Sequence, residues 1–306
     1  MQSENMNTKD VAEYLGINEK QVYALIKAKK IPCTRVTGKW IFVKHLIDEW
    51  ITDDSKKNSG ISLTNKEKSA AGILAAGSND PILEILINQT RQRSSDFLIF
   101  SSNTGSIEGL RMLGSGITDI AWCHLADPIT GEYNIESIKE ITGNNEIAMV
   151  HLFFREVGFL LAPSISLKKK ISFKYISENN LKFVNRQPGS GTRISIDHLL
   201  SREGISPDRI NGYTNEVFTH FEVGLKILSG EADAGIATVA VSKISGIPFI
   251  PMMKESFDMV LHKDTFFRKD VQEFIEILSS AEFRKSVEWL GDYDFTGSGR
   301  IIKNSV

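Results

Sequence analysis

Asn185-Arg-Gln-Pro-Gly-Ser-Gly-Thr-Arg193 follows a short apolar run (Leu181, Phe183, Val184) and leads into the amphipathic segment Ile194 to Leu200. A glycine-rich turn between a strand and a helix leaves backbone N–H groups unpaired. With the positive end of the helix dipole, those donors make a ready site for an anion. Gly189 and Gly191 let a ligand approach the main chain, Ser190 and Thr192 add hydroxyl donors, and Arg193 adds a fork of N–H groups. Arg193 also has a purely structural reading, an i,i+4 ion pair with Asp197 that never touches ligand.

Gly77-Ser-Asn-Asp80 and Ser101-Ser-Asn-Thr-Gly-Ser106 share this construction. Each follows an apolar run and precedes a helical pattern, with Pro81 suited to position N1 of its helix. Apolar runs at Ala71 to Ala75, Phe97 to Phe100, Ile117 to Trp122, Ile147 to Phe154, Gly158 to Leu161 and Ala234 to Ala237 read as strands. A helix from about Phe221 to Ser229 is stopped by Gly230. This βαβ rhythm predicts an α/β fold with largely parallel sheets, helices on both faces and two lobes. Turns beyond the carboxyl ends of such strands can converge on one crevice. None is a nucleotide motif: Gly191-Thr-Arg193 is not Gly-Lys-Ser/Thr, and Ile194 stands where a dinucleotide fingerprint needs glycine. For any one turn alone, a plain N-cap explains the residues equally well.

The chain has 306 residues, an apolar fraction of 41% and a formal net charge of −2, so several domains are expected and no polycation. Cys33 and Cys123 have neither disulfide-framework nor zinc-ligand spacing. The polar, acidic start and the lack of a span-length apolar window predict a cytoplasmic protein with no membrane partner. His124, His151 and His220 lack metal-ligand spacing and read as structural; Asp119, Asp127, Asp197 and Asp233 read as caps or strand-end carboxylates, and Lys168 to Lys170 as a solvated loop. No G-x-S-x-G elbow occurs. No catalytic residue, metal or cofactor is expected, and the chain is not read as an enzyme.

Residues 1–52 read as a separate unit. Thr8 is the expected cap of a helix bearing Val11, Ala12 and Leu15, ended by Gly16; a second helix runs from about Glu19 to Lys29. Thr34 to Val43 alternates about Thr37-Gly38 as a hairpin, and His45 to Ile51 closes the unit as a third helix. The polar stretch 53–69 reads as a linker.

The segments Met6-Asn-Thr-Lys-Asp-Val-Ala-Glu-Tyr-Leu-Gly16, Val22-Tyr23 and Gly38-Lys-Trp-Ile-Phe42 resemble the excisionase or MerR-like winged helix-turn-helix family. The resemblance implies DNA binding, with Asn18, Lys20, Gln21, Tyr23 and Lys27 toward a major groove and Arg35 and Lys39 on the wing. Residues 70–306 resemble the type II periplasmic-binding-protein superfamily, in its molybdate- or tungstate-binding group. The matching segments are Gly77 to Asp80, Asp119-Ile-Ala-Trp-Cys-His-Leu-Ala-Asp127, Gly131-Glu-Tyr-Asn134, Asn185 to Arg193, Thr219-His220, Gly230-Glu-Ala-Asp-Ala-Gly235 and Phe257-Asp258. This implies a first lobe of about 70–152 plus 256–306, a second of about 153–255, and hinge crossings near Phe153 to Gly158 and Pro251 to Glu255.

Together these readings predict a one-component transcriptional regulator. Its effector is a tetrahedral oxyanion, molybdate or tungstate, fully deprotonated near neutrality and therefore suited to a site built of donors. Ser78 and Ser106 in one lobe and Gly189, Ser190, Gly191, Thr192 and Arg193 in the other are the expected contacts, supported by Asn79, Asn103 and Tyr133. A homodimer holding two DNA half-sites would couple closure to DNA. The alternatives are a small organic acid clamped by Arg193, or the solute-binding component of an oxyanion transporter.

Overall fold

The computed structural model describes residues 5–48, 50–51, 72–94, 97–126, 133–143, 146–165, 170–291 and 293–304. The expected linker, Asp127, Gly131 and Lys168 lie outside them. The chain divides into two compact units, 1–70 and 71–306.

In the first unit, helix Thr8–Leu15 is capped by Asn7 rather than by Thr8. The Asn7 side chain accepts from the N–H groups of Lys9 and Asp10, and the Asp10 carboxylate accepts from Asn7 N–H, a reciprocal box that leaves Thr8 as the first helical residue. Gly16, at φ 66°, ends that helix, and Asn18 and Gln21 cap helix Glu19–Lys27 in the same reciprocal way. Strands β1 (Asn5–Met6), β2 (Thr34–Val36) and β3 (Lys39–Val43) form an antiparallel sheet with β3 central. The turn residues Thr37 and Gly38 have φ 48° and 82°, as a two-residue hairpin requires. Residues 44–48 are helical. Val11, Val22, Ile31, Phe42 and Ile47 form the core that fixes the two helices against the hairpin.

The second unit is a two-lobed α/β fold on one curled sheet. Its strands are β4 (Ile73–Gly77), β5 (Ile99–Asn103), β6 (Ile120–Cys123), β7 (Ile147–Leu161), β8 (Phe183–Arg186), β9 (Glu216–Val217), β10 (Ala234–Thr238), β11 (Phe249–His262) and β12 (Ile301–Asn304). They run in the order β5-β4-β6-β11-β7-β10-β8-β9, with β12 on β7. The expectation of a largely parallel sheet holds only toward the two ends, where β4 is parallel to β5 and β6, and β8 to β9 and β10. The centre is antiparallel because β7 and β11 pass between the lobes in opposite directions.

The two runs read as separate strands, 147–154 and 158–161, are one strand. Gly158 permits this, since a Cβ there would stand 2.1 Å from the carbonyl oxygen of Ile250 on β11. The expected hinge segments accordingly lie inside paired strands, with register shifts at Pro251/Met253 and Phe257/Asp258. Trp122, Phe153, Phe257 and Phe274 anchor one lobe's core; Phe159, Phe173 and Phe183 anchor the other's.

Candidate anion-binding site

The three turns singled out above meet where the lobes face each other. Gly77 ends β4 at φ 128°, and a Cβ there would lie 2.3 Å from Trp122 O, so only glycine lets the chain turn beside β6. Ser78 Oγ and Ser106 Oγ are 2.8 Å apart, and Ser106 Oγ also accepts from His124 N–H at 3.3 Å. From the other lobe, Gly189 O accepts from Ile107 N–H at 3.2 Å. A Cβ on Gly191 would lie 2.5 Å from His124 O and 2.7 Å from its Nδ1, so the helix Gly191–Arg202 begins against the His124 ring. Ser78, Ser106, Ser190 and Thr192 are all buried. Helices Pro81–Arg93, Ser106–Gly114 and Gly191–Arg202 start at these turns, each contributing the positive end of its dipole.

A charged layer lies beneath. Arg155 on β7 is fully buried and spans both flanking carboxylates: Nη1 donates to Asp80 Oδ2 at 2.8 Å and to Asn79 O at 3.0 Å, while Nε donates to Glu255 Oε1 at 2.8 Å. Burial alone would raise the Glu255 carboxyl, but His124 and Arg155 overcome it and pull the pKa down to about 2. Arg155 Nη2 faces His220 Nε2 at 3.4 Å, and His124 Nδ1 lies 3.1 Å from Glu255 Oε2. Burial, with Arg155 and Arg186 nearby, holds both imidazoles below their usual pKa.

Arg186, at the end of β8, is buried yet satisfied at one nitrogen only: Nη2 donates to Phe218 O at 2.7 Å. Its Nε and Nη1 have no partner, and among the described residues no carboxylate is in ion-pair contact with it. Burial and the nearby Arg155 push its pKa down to about 9, which still leaves it charged at neutrality. Thr192 Oγ1, Asn79 Oδ1, both His124 nitrogens, His220 Nδ1 and both polar atoms of the Gln187 amide are likewise buried without a hydrogen-bond partner, His124 Nδ1 having only its ion-pair contact with Glu255. Buried polar groups are ordinarily paired, so these orphans together with a buried guanidinium that makes no direct ion pair among the described residues fit a small anion with several acceptor oxygens. His124, His220 and Glu255 do bring ligand atoms within 4.8 Å of one another. With Arg155 on Glu255 and Arg186 nearby, that set suits an anion better than a metal cation.

The expected contacts divide accordingly. Ser78, Ser106, Gly189, Ser190, Gly191 and Thr192 come together, with Ser190 Oγ accepting from Arg193 N–H at 3.2 Å as the helix cap. Asn103 ends β5 on an exposed position, paired in register with Gly77. Tyr133 is half-buried, donates to Lys254 O at 3.0 Å, and has its pKa pushed up to about 12 by burial. The Arg193 side chain makes the i,i+4 ion pair with Asp197. Its guanidinium binds Asp197 at 3.0 Å and Glu216 at 2.7 Å, donates to Arg186 O, and stacks on Tyr213 at 4.3 Å.

Sequence reasoning missed Arg155, Arg186 and Glu255, and it gave His124 and His220 structural roles. A signal existed for Arg155, a charge in the middle of the apolar run Ile147–Leu161. His151 is paired through Nδ1, 2.8 Å from Asp258 Oδ1 and 3.0 Å from Ser256 Oγ, while its buried Nε2 has no partner.

On the first unit, Asn18, Lys20, Gln21, Tyr23, Lys27, Arg35 and Lys39 are exposed. The side chains of Asn18 and Gln21 are engaged in the cap of their helix. Arg35 donates to Gly38 O at 3.2 Å and lies 5.5 Å from the Trp40 ring centre.

Comparison with known proteins agrees with this division. Residues 87–279 match the PBP superfamily domain, and residues 6–55 match a helix-turn-helix domain. The Bacillus subtilis (strain 168) protein YvgK is 27% identical over 305 residues, covering 96% of each chain. A substrate-binding protein from Clostridium perfringens, assigned to phosphate ABC transport and solved with bound phosphate, superposes with a TM-score of 0.56 at 14% identity, over 72% of this chain and 97% of its own. The Corynebacterium glutamicum OxyR C206S mutant with bound H2O2 gives 0.51 at 13% identity, over 93% of this chain and 90% of its own. At these identities the two structures establish the fold.

Proposed function

Since the chain belongs to the PBP superfamily and carries a helix-turn-helix domain ahead of that fold, we propose that it is a one-component transcriptional regulator. It senses a tetrahedral oxyanion, molybdate or tungstate, between its lobes. The observation that carries this reading is Arg186: a buried guanidinium with two unpartnered N–H groups, in a fold that also leaves polar atoms of Asn79 and His124 from one lobe and of Gln187, Thr192 and His220 from the other without partners. The Ser78, Ser106 and Thr192 hydroxyls and the turn N–H groups complete a shell supplied by both sides of the cleft, so ligand favours closure. The organic-acid alternative relied on Arg193 as its clamp, and that guanidinium is held by Asp197 and Glu216.

The regulator acts in the cytoplasm as a homodimer whose two helix-turn-helix units hold two half-sites, with closure changing their joint hold on DNA. Lys20, Tyr23 and Lys27 meet the groove, and Arg35 and Lys39 the flanking backbone.

Thermal unfolding against molybdate, tungstate, sulfate, phosphate and small carboxylates tests the ligand. An effector at about a hundred times its dissociation constant adds roughly 2.7 kcal/mol of stability. A midpoint that sub-millimolar molybdate and tungstate leave unmoved, while a carboxylate raises it, refutes the assignment. DNA binding indifferent to every oxyanion at fixed salt refutes the coupling.

A further inference from the structure

The charged side chains facing the cleft come from four elements: Asp80 after β4, Arg155 on β7, Arg186 on β8 and Glu255 on β11. Two cations oppose two anions, so the layer is formally neutral while His124 and His220 are neutral. A dianion placed there leaves the buried layer with an excess of negative charge, relieved in part by the helix dipoles.

The two imidazoles are not equivalent. Arg155 has only N–H groups to offer, so His220 Nε2 accepts from it and the ring proton sits on Nδ1, an unpartnered buried donor. A second proton on His220 would set an N–H against the Arg155 N–H. His124 has the opposite surroundings. Its Nδ1 faces the Glu255 carboxylate at 3.1 Å, its Nε2 is unpartnered, and its ring stacks on Phe257 with centroids 6.2 Å apart. With its Nδ1–H toward the Glu255 carboxylate, His124 would take an added proton at Nε2, and the imidazolium would then donate to Glu255 at one nitrogen and to an anion oxygen at the other.

We infer that the site takes its oxyanion together with one proton, carried by His124, while His220 donates its Nδ1–H as a neutral ligand group. The inference rests on the oxyanion reading above and adds two binding residues and a second, obligate ligand. In the free protein, burial opposes charge on His124, as do Arg155 and Arg186, and Glu255 alone favours it. The arriving dianion reverses that balance. Because bound His124 has the higher proton affinity, anion binding is tight at low pH and weakens as pH rises through the interval between the free and bound pKa values.

Calorimetric titration of the full chain with sodium molybdate, in buffers of different ionisation enthalpy at pH 7.5, counts the protons directly. The expected result is uptake of about one proton per anion, with the dissociation constant rising up to about tenfold per pH unit. His124→Gln, which keeps a side-chain N–H, should flatten this pH profile, whereas His220→Asn should weaken binding yet retain the slope. Molybdate binding with no proton uptake, by the wild-type chain, overturns the inference and leaves the oxyanion reading standing. Failure of molybdate, tungstate, sulfate and phosphate all to bind removes both.

Discussion

Arg186 and Arg193 stand in one nine-residue stretch, yet their surroundings are opposite. Arg186 ends a strand whose residues are all buried, donates from its side chain to one carbonyl, and has no carboxylate in ion-pair contact among the described residues. Arg193, in the first turn of the following helix, is saturated by Asp197, Glu216 and the ring of Tyr213. A side chain that already has its counterions has little to gain from a ligand. One left buried without them has a great deal to gain. The second arginine therefore builds the turn, and the first is proposed to read the anion.

Substitution should separate the two roles. Arg186→Met removes the unpartnered guanidinium, so it should weaken molybdate binding by about 2–5 kcal/mol, the range for losing one partner of a desolvated charge pair. It should change the stability of the ligand-free protein less than Arg193→Ala does, because the guanidinium it deletes makes a single hydrogen bond, to Phe218 O. Arg193→Ala should do the reverse, lowering stability by about 1–3 kcal/mol through its lost hydrogen bonds and altering affinity far less. Denaturant unfolding together with isothermal titration checks both halves. Equal affinity losses in the two variants would dissolve the distinction.

A smaller effect is expected in the first unit. Lys20→Ala should weaken DNA binding evenly across sequences and reduce the salt slope by about 1, with no change in the unfolding shift produced by molybdate. Retention of the full salt slope would remove Lys20 from the proposed contact surface.

How much of this was legible in the sequence differs between elements for physical reasons. Caps, glycine turns and the hairpin depend on neighbouring residues, so the loops at Ser78, Ser106 and Ser190 and the Thr37-Gly38 turn could be read directly. Even there the cap fell at Asn7, where two residues with suitable side chains adjoin. The antiparallel centre of the sheet was not legible, because Gly158 reads locally as a break and only the approach of Ile250 explains why the strand continues. The charged layer was less legible still. Arg155, Glu255, Arg186 and His220 are brought together across long sequence separations by β7 and β11 crossing the cleft, and no spacing rule records that. Arg193 and Asp197, four residues apart, offered a readable local pair, whereas Arg186 offered nothing except its place at the end of an apolar strand.

The central claim is that an oxyanion between the lobes is held by the buried, unpartnered N–H groups of Arg186. Parallel calorimetric titrations of wild type and Arg186→Met with molybdate and tungstate, at fixed pH and salt, test it most directly. Saturable one-to-one binding by the wild-type chain, and its loss in a folded variant, is the predicted result. Unchanged affinity in the variant, or no heat from either anion with the wild-type chain, would contradict it.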